Sequence, residues 1–384
     1  MRFPEFNGEW ETKLINDLAV VIGGGTPDTT IKSYWDGEIQ WFTPSEIGKN
    51  KYVDSSLRTI TEEGLNNSSA KLLPPNTILL SSRATIGECS LSLRECATNQ
   101  GFQSLVSKKC YVDFLYYLIQ TKKRDLIRKS CGSTFLEISA NEVRKIQVSV
   151  PTDVEQQKIA GLLSLIDERI ATQNKIIEKL QSLIKGLSQQ LLSSENDWIL
   201  YRLDDLAQIK SGYSGTQVSY QTPYKVSRIE TISKHCIDIQ RIGYVECIPE
   251  SYRLNVGNIL FSNINSIQYI GNTAYLDKDY GLYHGMNLLR IIPNTTIVRP
   301  RFLHLLLCTD WAINHFQTIC NKAVSQASIN QTALGKSRYP IPPMSVQQQI
   351  CSMFELTERK LDNEQEYISC LQQQKRYLLQ EMFI

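Results

Sequence analysis

The sequence predicts an α+β protein in which two similar domains are separated by two long antiparallel coiled-coil helices, with an approximate two-fold axis between the halves. Three observations support this fold class. The first half of the chain is repeated in the second half, and each half ends in a long heptad pattern. Before each heptad pattern, short β-rich runs and a helical segment follow one another without the regular alternation of a doubly wound α/β fold.

The internal repeat spans about half of the 384 residues, a length that by itself allows two or three domains. The matching segments are 10–19 and 198–207, 77–81 and 258–262, and 156–159 and 347–350. The second pair follows a turn in each half and is typical of a short buried strand. The chain therefore contains two copies of one structural unit.

The heptad patterns predict one helix of about 39 residues in each half, about 58 Å long. In the first copy the positions are Ile159, Leu163, Ile166, Ile170, Gln173, Ile177, Leu180, Ile184, Leu187 and Leu191. In the second copy they are Ile350, Phe354, Thr357, Leu361, Glu364, Ile368, Leu371, Lys375, Leu378 and Met382. We call these two sets the seams. Gln173 and Glu364 interrupt both seams at the same place, and such polar residues can fix register. A helix this long needs a partner, and the natural partner is the other copy.

Prolines mark the predicted boundaries between globular and helical segments. Pro151 and Pro342 stand just before the two long helices, where proline is tolerated. The predicted divisions are a first domain at 1–150, a central helix at 151–195, a second domain at 196–341 and a C-terminal helix at 342–384. Within the domains, the apolar runs 114–119 and 302–307 are the predicted helix cores.

Composition excludes some classes of protein. The chain has 41 Lys and Arg against 39 Asp and Glu, a net charge of +2, which excludes a highly basic tail-type nucleic-acid binder but permits local basic patches. Ten cysteines without a CxxC pair indicate neither a zinc knuckle nor a thioredoxin motif, and are typical of a reducing cytosol. With no apolar run of about 18 residues and no signal peptide, we expect a cytoplasmic protein.

The sequence lacks familiar catalytic motifs. It contains no G-x-x-x-x-G-K-[ST], no G-x-S-x-G, no H-E-x-x-H and no Pro-Pro-aromatic tetrad of adenine methyltransferases. We therefore expect no catalysis by this chain alone. The four histidines lack metal-ligand spacing and are predicted to be structural or surface residues, with no metal site. Gly23, Gly24 and Gly25 predict a tight turn.

Local charge and polar loops indicate nucleic-acid contacts. The segment from residue 108 to residue 129 contains seven basic and two acidic residues. Its net charge of +5 could neutralise phosphates. Polar side chains after the buried strands are candidates for reading base edges. The candidate DNA-binding residues are Thr43, Ser45, Lys71, Ser82, Arg83, Lys108, Lys109, Lys122, Lys123, Arg124, Lys210, Tyr213, Lys225, Arg228, Asn263, Asn265, Ser266, Gln268 and Tyr269. Each also has a simpler explanation in turn chemistry, helix capping or a solvated surface.

Two domains held by a stiff helix pair match the symmetry of duplex DNA, where two half-sites lie about 34–36 Å apart on one face. Such a protein would recognise two short DNA sequences and would not recognise the sequence of the spacer between them. A duplicated coiled-coil scaffold that binds only proteins is the alternative from another class. A methyltransferase or nuclease with unrecognised motifs is a third, against which the missing tetrad counts.

Several motifs resemble those of a known family. They are Gly-Gly-Thr-Pro at 24–27, Tyr-Trp-Asp-Gly at 34–37, Trp-Phe-Thr-Pro-Ser-Glu-Ile at 41–47, Ser-Arg-Ala-Thr-Ile-Gly at 82–87, Asn-Gln-Gly-Phe at 99–102 and Glu-Gln-Gln-Lys-Ile-Ala at 155–160. Together they resemble the specificity subunit (S subunit, HsdS) of type I restriction–modification systems. The resemblance covers both halves. The second half lacks the two tryptophan motifs, which implies a different class of recognition domain there.

The resemblance implies two target-recognition domains and a bipartite, asymmetric DNA site. It implies no catalysis in this chain. Two modification (M) subunits would carry the S-adenosylmethionine site and perform adenine-N6 methylation. Two restriction (R) subunits would add ATP-driven translocation and cleavage, with Mg²⁺ also expected on the partner subunits. The M subunits would dock largely on the helices. The residues predicted for these interface helices are Gln156, Gln157, Ile159, Leu163, Ile166, Ile170, Ile177, Leu180, Ile350, Phe354, Leu361, Ile368 and Leu371.

Overall fold

The structure is a computed structural model that describes residues 2–132, 136–193, 198–233, 235–322 and 326–383. Its α-helices are α1 (Ile15–Leu18), α2 (Glu62–Asn66), α3 (Val112–Thr121), α4 (Lys123–Arg128), α5 (Ala140–Arg144), α6 (Asp153–Leu191), α7 (Leu203–Leu206), α8 (Pro300–Leu307), α9 (Asp310–Ile319), α10 (Gln331–Gly335) and α11 (Met344–Met382). Helices α6 and α11 each contain 39 residues, so the predicted long helices are confirmed.

Most of the remaining regular structure within the described ranges consists of short strands. In the first half they are β1 (Glu11–Leu14), β2 (Ala19–Gly23), β3 (Trp35–Phe42), β4 (Tyr52–Val53), β5 (Arg58–Ile60), β6 (Ile78–Leu80), β7 (Cys89–Ser92), β8 (Cys96–Thr98), β9 (Gln103–Ser107) and β10 (Gln147–Val150). In the second they are β11 (Ile199–Arg202), β12 (Ala207–Ser211), β13 (Gln217–Val218), β14 (Tyr224–Val226), β15 (Ile232–Ser233), β16 (Cys236–Ile237), β17 (Gly243–Val245), β18 (Ile259–Phe261), β19 (Ile264–Asn265), β20 (Thr273–Tyr275), β21 (Leu282–Tyr283), β22 (Leu289–Pro293), β23 (Asn321–Lys322), β24 (Ala327–Ser328) and β25 (Arg338–Ile341). The predicted α+β class is confirmed.

The chain folds into two compact units. Unit 1 comprises residues 1–176 and 364–384, and unit 2 comprises residues 177–363. In unit 1 one sheet has the strand order β2-β9-β6-β7-β4, and a second has the order β5-β3-β8 with β3 and β8 parallel. Strand β1 pairs antiparallel with β10, so the chain enters and leaves the first domain side by side.

Unit 2 repeats this plan with shorter strands. Its main sheet has the order β12-β22-β18-β20, and its second sheet has the order β13-β17-β14-β21 with β14 and β21 parallel. Strands β11 and β25 close the domain as β1 and β10 do in unit 1. A small sheet, β19-β24-β23, is added after the central strand β18.

Equivalent aromatic contacts support the internal repeat. The Trp10 ring packs against Phe114 of α3 with 6.2 Å between ring centroids. In unit 2, Trp198 packs against Phe302 of α8 at 6.1 Å. Both helices, α3 and α8, lie in the apolar cores of their units, as their apolar runs predict.

A buried glutamine joins each long helix to the domain before it. The Nε2 of Gln156 donates to the carbonyl of Pro151 at 2.9 Å, while its Oε1 accepts from the backbone N–H of Tyr111, the residue that caps α3. The Nε2 of Gln347 likewise donates to the carbonyl of Pro342 at 2.9 Å, and its Oε1 accepts from the N–H of Arg299, which caps α8. One amide therefore fixes the start of the long helix and orients the domain helix.

The seams are internal, as the heptad pattern predicts. All twenty seam positions are buried or half-buried, whereas the neighbouring Gln157, Lys158 and Leu165 are exposed. Within unit 1, the Nε2 of Gln173 donates to the backbone carbonyl of Glu364 at 3.2 Å and also to its carboxylate. The two polar interruptions of the seams are therefore each other's partners.

A polar network in unit 1 explains the lysine in the second seam. The Nζ of Lys375 lies 2.7 Å from Asp167 Oδ1, and the Tyr117 hydroxyl of α3 donates to Asp167 Oδ2 at 2.6 Å. Desolvation and the adjacent carboxylate both raise the pKa of Tyr117, so its hydroxyl stays protonated as a donor. Asp167 thus connects α6 with α11 and with the first domain.

The glycine run at 23–25 is not a tight turn, contrary to the sequence prediction. Strand β2 ends at Gly23, and the chain continues beside β8, where the N–H of Gly25 donates to the carbonyl of Thr98 at 2.8 Å. A Cβ on Gly24 would lie 2.1 Å from the carbonyl oxygen of Asn99. Glycine is needed here because two backbone segments approach closely, not because the chain reverses.

We expect Gln156→Met to destabilise unit 1 by about 1–3 kcal/mol, because it leaves the buried Pro151 carbonyl without its donor. Urea unfolding of the full chain, followed by a probe in unit 1, measures the change. Gln157→Met is the matched control, since the adjacent Gln157 side chain is exposed, and we expect a change within about 0.5 kcal/mol. Equal effects of the two substitutions would contradict the role assigned to Gln156.

Candidate nucleic-acid interface

Several loops of the first domain meet at one end of its sheets. The N–H of Ser82 donates to the carbonyl of Gly101 at 2.8 Å, and the N–H of Ile138 donates to the carbonyl of Ser82 at 3.1 Å. The N–H of Asn99 donates to the carbonyl of Phe42 at 3.1 Å, which brings the end of β3 to the same place. We define residues 24–27, 43–46, 81–85, 99–103 and 136–138 as the first loop cluster.

Thr43 and Ser45 of the first loop cluster are both predicted to contact base edges, but they differ in their exposure to solvent. The Thr43 hydroxyl donates to Glu46 Oε2 at 2.6 Å, and that oxygen also accepts from the Thr43 N–H at 2.7 Å. Thr43 therefore mainly caps the short turn that follows it. Ser45 is exposed and lies 3.0 Å from the Thr43 hydroxyl, so it is the side chain of this pair that faces solvent.

Ser82 and Arg83 follow the buried strand β6. Ser82 is fully buried, and its hydroxyl has no hydrogen-bond partner among the described residues. Contrary to the sequence prediction, Ser82 cannot reach a base edge in this conformation. The Arg83 guanidinium is half-exposed and pairs with Glu137 at 2.8 Å, so Glu137 holds it at the surface of the first loop cluster.

The second domain places a different loop after its equivalent strand. We define residues 262–269 as the second loop cluster. Its strand β19 pairs with β24, and the N–H of Ile329 donates to the carbonyl of Asn263 at 2.9 Å. The Asn265 side chain bonds to Ser262 and to the N–H of Ser266, so it shapes the loop. Gln268 and Tyr269 are exposed at the tip.

The two loop clusters occupy equivalent places in the two domains. In each, the second residue after the central strand accepts a backbone hydrogen bond from an isoleucine, Ile138 to Ser82 in one and Ile329 to Asn263 in the other. The backbone frame is shared, whereas the side chains at 82–85 and at 263–266 differ at every position. A common frame with different polar groups is what two different binding sequences require.

The basic cluster at 108–129 is split by the fold. Helix α3, about 15 Å long, separates Lys108 and Lys109 from the residues at its other end. Of the latter, Lys123 pairs with Glu88 and Arg128 with Asp125 at 2.8 Å, which reduces the local positive charge. Arg124 is exposed and Lys122 is half-buried, without a salt bridge to the described residues.

The remaining candidates are exposed or are partly used by the fold. Lys71, Lys210 and Lys225 are exposed. The Tyr213 ring packs on Tyr252 with 5.3 Å between centroids, so it supports the second sheet of unit 2. Arg228 is exposed and lies 3.5 Å from Glu230.

The structure adds residues that sequence reasoning did not single out. Gln100 is exposed in the first loop cluster, where its Oε1 accepts from the Thr26 hydroxyl at 2.5 Å. The exposed Arg58 guanidinium stacks 3.5 Å above the Trp35 ring. Gln100 could have been found from the sequence, because it lies in the Asn-Gln-Gly-Phe motif. The Arg58 contact could not, because it depends on the pairing of β3 with β5 and no pattern near Arg58 in the sequence indicates it.

Most residues predicted for the interface helices are covered by the chain itself, so those predictions need correction. Ile159, Leu163 and Ile166 lie in the core of unit 1, while Ile350 and Phe354 lie in that of unit 2. Gln156 and Leu371 are buried, whereas Ile170, Ile177, Leu180, Leu361 and Ile368 are half-buried. Gln157 is exposed. The exposed large apolar side chains on α6 and α11 are instead Val154, Leu165, Leu183, Met344, Met353, Leu356, Tyr367 and Tyr377.

Two of the histidines have clear structural roles. His284 is buried, its Nε2 lies 3.0 Å from the carbonyl of Leu288, and burial lowers its pKa to about 4, so the ring stays neutral. His315 Nε2 lies 3.0 Å from the Ser337 hydroxyl. No helix within the described ranges is long and apolar enough to cross a membrane.

Comparison with known proteins decides the family. The model of the type I restriction modification DNA specificity domain matches twice, at residues 7–182 and 195–373. The chain belongs to this family. The specificity-subunit chain thus carries two specificity domains, and each match runs through one globular domain into the long helix that follows.

Curated relatives of this specificity-subunit chain have the same description. The type I restriction enzyme MjaIX specificity subunit of Methanocaldococcus jannaschii is 30% identical over 327 residues, which cover 72% of this chain and 75% of the relative. The EcoR124I/EcoR124II specificity subunit of Escherichia coli is 29% identical over 210 residues, which cover 53% of this chain and 49% of the relative. These relatives favour the specificity subunit over a scaffold that binds only proteins.

Solved structures share the fold at low sequence identity. The type I restriction-modification S subunit from M. genitalium matches with a TM-score of 0.61 and 16% identity, over 100% of this chain and 99% of that one. A second solved chain comes from a structure that describes complex assembly and conformational transition of the type I R-M system. It matches with a TM-score of 0.64 and 14% identity, and the match covers 99% of this chain and 98% of that one. The resemblance therefore extends over the full length of the specificity-subunit fold.

We expect Gly24→Ala to destabilise unit 1 by at least about 2 kcal/mol and to disorder the first loop cluster, because the new methyl group meets backbone that cannot move aside. Thermal unfolding and amide exchange at residues 98–102 report the two effects. Gly161→Ala is the matched control: its Cβ would meet nothing within 4 Å, and alanine should stabilise α6 by about 1 kcal/mol. A neutral Gly24→Ala would contradict the close approach of the two segments.

Proposed function

We propose that this chain is the DNA sequence-recognition subunit of a type I restriction–modification complex, and that it directs adenine-N6 methylation and DNA cleavage by partner subunits. The observation that carries the proposal is the pair of loop clusters. Ser82 and Asn263 occupy the same position of the same frame, but the side chains around them differ. Each domain then recognises its own short DNA sequence, and the complete site is bipartite and asymmetric.

The distribution of groups in the first loop cluster suits contact with DNA. Ser45 and Gln100 present a hydroxyl and an amide to solvent, and Arg83 is held half-exposed by Glu137. Hydroxyl, amide and guanidinium groups are the side chains that distinguish base edges in the major groove. Buried residues such as Ser82 shape this surface and do not touch the bases.

Basic side chains at the two ends of α3 would supply contacts with phosphates. Arg124 and Lys122 at the start of α4 and Lys108 and Lys109 before α3 are the candidates in the first domain. Such contacts set affinity and register without carrying sequence information. A net charge of +2 for the whole chain is compatible with this function because only the DNA-facing surface needs to be positive.

The chemistry in this proposal belongs to partner subunits. M subunits would bind S-adenosylmethionine and flip the target adenine out of the duplex. R subunits would bind ATP and Mg²⁺ and cleave the DNA, and we propose two copies of each subunit in a cytoplasmic complex. The exposed apolar residues of α6 and α11, such as Leu165 and Tyr367, are the surface that we assign to docking of the M subunits.

Replacing both Lys122 and Arg124 with alanine should weaken DNA binding by the chain together with its M subunit, equally for cognate and unrelated sequences. For each lost phosphate contact, the slope of log affinity against log salt concentration should become less steep by about 0.9. Titrations at several salt concentrations measure the slope. The exposed Lys175 on α6 provides the control, and Lys175→Ala should leave the slope unchanged. A loss confined to the cognate sequence would assign Lys122 and Arg124 to base reading instead.

Exchange of the first domain tests the proposed function directly. Because β1 pairs with β10, residues 1–150 can be replaced by the corresponding domain of another family member without separating paired strands. Mapping of N6-methyladenine in DNA, with the M subunit present, should show one half of the site changed and the other half retained. The reciprocal exchange of residues 196–341 is the matched experiment and should change only the other half.

Three results would contradict the proposal. Methylation patterns that stay the same after both exchanges would place recognition outside this chain. Methyl transfer by the purified chain alone, given DNA and S-adenosylmethionine, would show that it is an enzyme. A chain that assembles with the M subunit but binds DNA without dependence on sequence or salt would support the scaffold alternative.

A further inference from the structure

Three potential metal ligands converge in unit 2. His304 lies in α8 and Cys308 follows its last residue, one turn later on the same face. His235 comes from the turn between β15 and β16. The Nδ1 of His235, the Nε2 of His304 and the Sγ of Cys308 all lie within 4.8 Å of one another. Folding thus brings together groups separated by about 70 residues of chain.

The distances fit a tetrahedral cation. The Sγ of Cys308 lies 3.3 Å from His235 Nδ1 and 3.5 Å from His304 Nε2. With zinc–nitrogen bonds of about 2.0–2.1 Å and a zinc–sulfur bond of about 2.3 Å, a nitrogen and a sulfur ligand of one Zn²⁺ are about 3.5–3.6 Å apart. The sulfur and its two nitrogen neighbours therefore already have nearly the spacing that a shared cation imposes.

We propose that His235, His304 and Cys308 bind a thiophilic divalent cation, with Zn²⁺ as the best match. One thiolate and two imidazoles form a ligand set of borderline softness, which suits Zn²⁺ and Co²⁺ better than Mg²⁺ or Ca²⁺. Three protein ligands leave a fourth position for water, which the half-buried His235 makes accessible. No catalytic role is assigned to this position.

The Cys308 side chain binds a cation as a thiolate, so the cation displaces the thiol proton, which passes to solvent. His235 has a backbone φ of 63°, an uncommon value for a residue other than glycine, and this conformation sets the direction of its side chain.

Arg301 moderates the affinity of this site. Its guanidinium donates to His304 Nδ1 at 2.9 Å, which places the ring proton on Nε2. When a cation binds Nε2, that proton moves to Nδ1, and Arg301 has to release the ring while keeping its ion pair with Glu358. Metal-bound histidines usually face an acceptor at this nitrogen, so we expect a labile site, not a permanent structural one.

An occupied site would fasten the β15–β16 turn to α8. Helix α8 is in turn tied to α11, because its capping residue Arg299 donates its N–H to Gln347 and its Arg301 pairs with Glu358. The cation would therefore link a peripheral turn of the second domain to the long helix. Its effect would be on the stability of unit 2.

Cobalt titration of the full-length chain tests the site, after removal of bound metal with a chelator. Co²⁺ reports a thiolate ligand by a near-ultraviolet charge-transfer band and a tetrahedral site by intense visible bands. We expect both at one equivalent, and displacement by one equivalent of Zn²⁺. Cys308→Ser should abolish the near-ultraviolet band. His235→Asn, chosen because asparagine tolerates positive φ, should weaken Co²⁺ binding at least tenfold.

Matched controls separate this site from nonspecific binding by other thiols. Cys236 and Cys247 are exposed and lie outside the ligand set, so Cys236→Ser and Cys247→Ser should leave the spectrum unchanged. Unfolding midpoints without metal should agree between each variant and the parent chain. Absence of the bands in the parent chain, their retention in Cys308→Ser, or their loss in Cys236→Ser would overturn the assignment, and so would unchanged affinity in His235→Asn.

Discussion

The structure depends on one buried amide at the start of each long helix. Gln156 and Gln347 each bridge the proline carbonyl that precedes the helix and the backbone N–H that caps a domain helix. An amide can donate and accept at once, so glutamine satisfies two backbone groups that no apolar residue of similar length could satisfy. The orientation of each domain helix, and of the loops that its core supports, follows from this contact.

Polar pairs then determine how the helices meet within unit 1. Gln173 bonds to Glu364, and Lys375 pairs with Asp167, which also accepts from Tyr117. Apolar seam residues such as Leu163 stabilise any compact arrangement, whereas these pairs are satisfied in only one register. Affinity between the helices and selection of their register therefore come from different residues.

The long helices could be predicted to the correct length because a heptad pattern is local and repeats many times along the chain. The strands 78–80 and 259–261 could be predicted for the same reason, as short apolar runs between turns. The burial of Ser82, the close approach at Gly24 and the pairing of Lys123 with Glu88 depend on contacts between distant segments, which no local pattern encodes. The convergence of His235 with His304 is of the same kind, so spacing along the chain predicted no metal site.

The meeting of Gln173 with Glu364 makes the contact between the two repeats asymmetric within unit 1. The two residues hold equivalent positions in the repeat, so a pair of identical halves would place each such residue against its own copy. Two glutamines can bond to each other at such a contact, but two glutamates would repel. The copy that carries Glu364 is therefore suited to a partner helix with a neutral amide at this position, and a symmetric pairing of that copy with itself would be disfavoured.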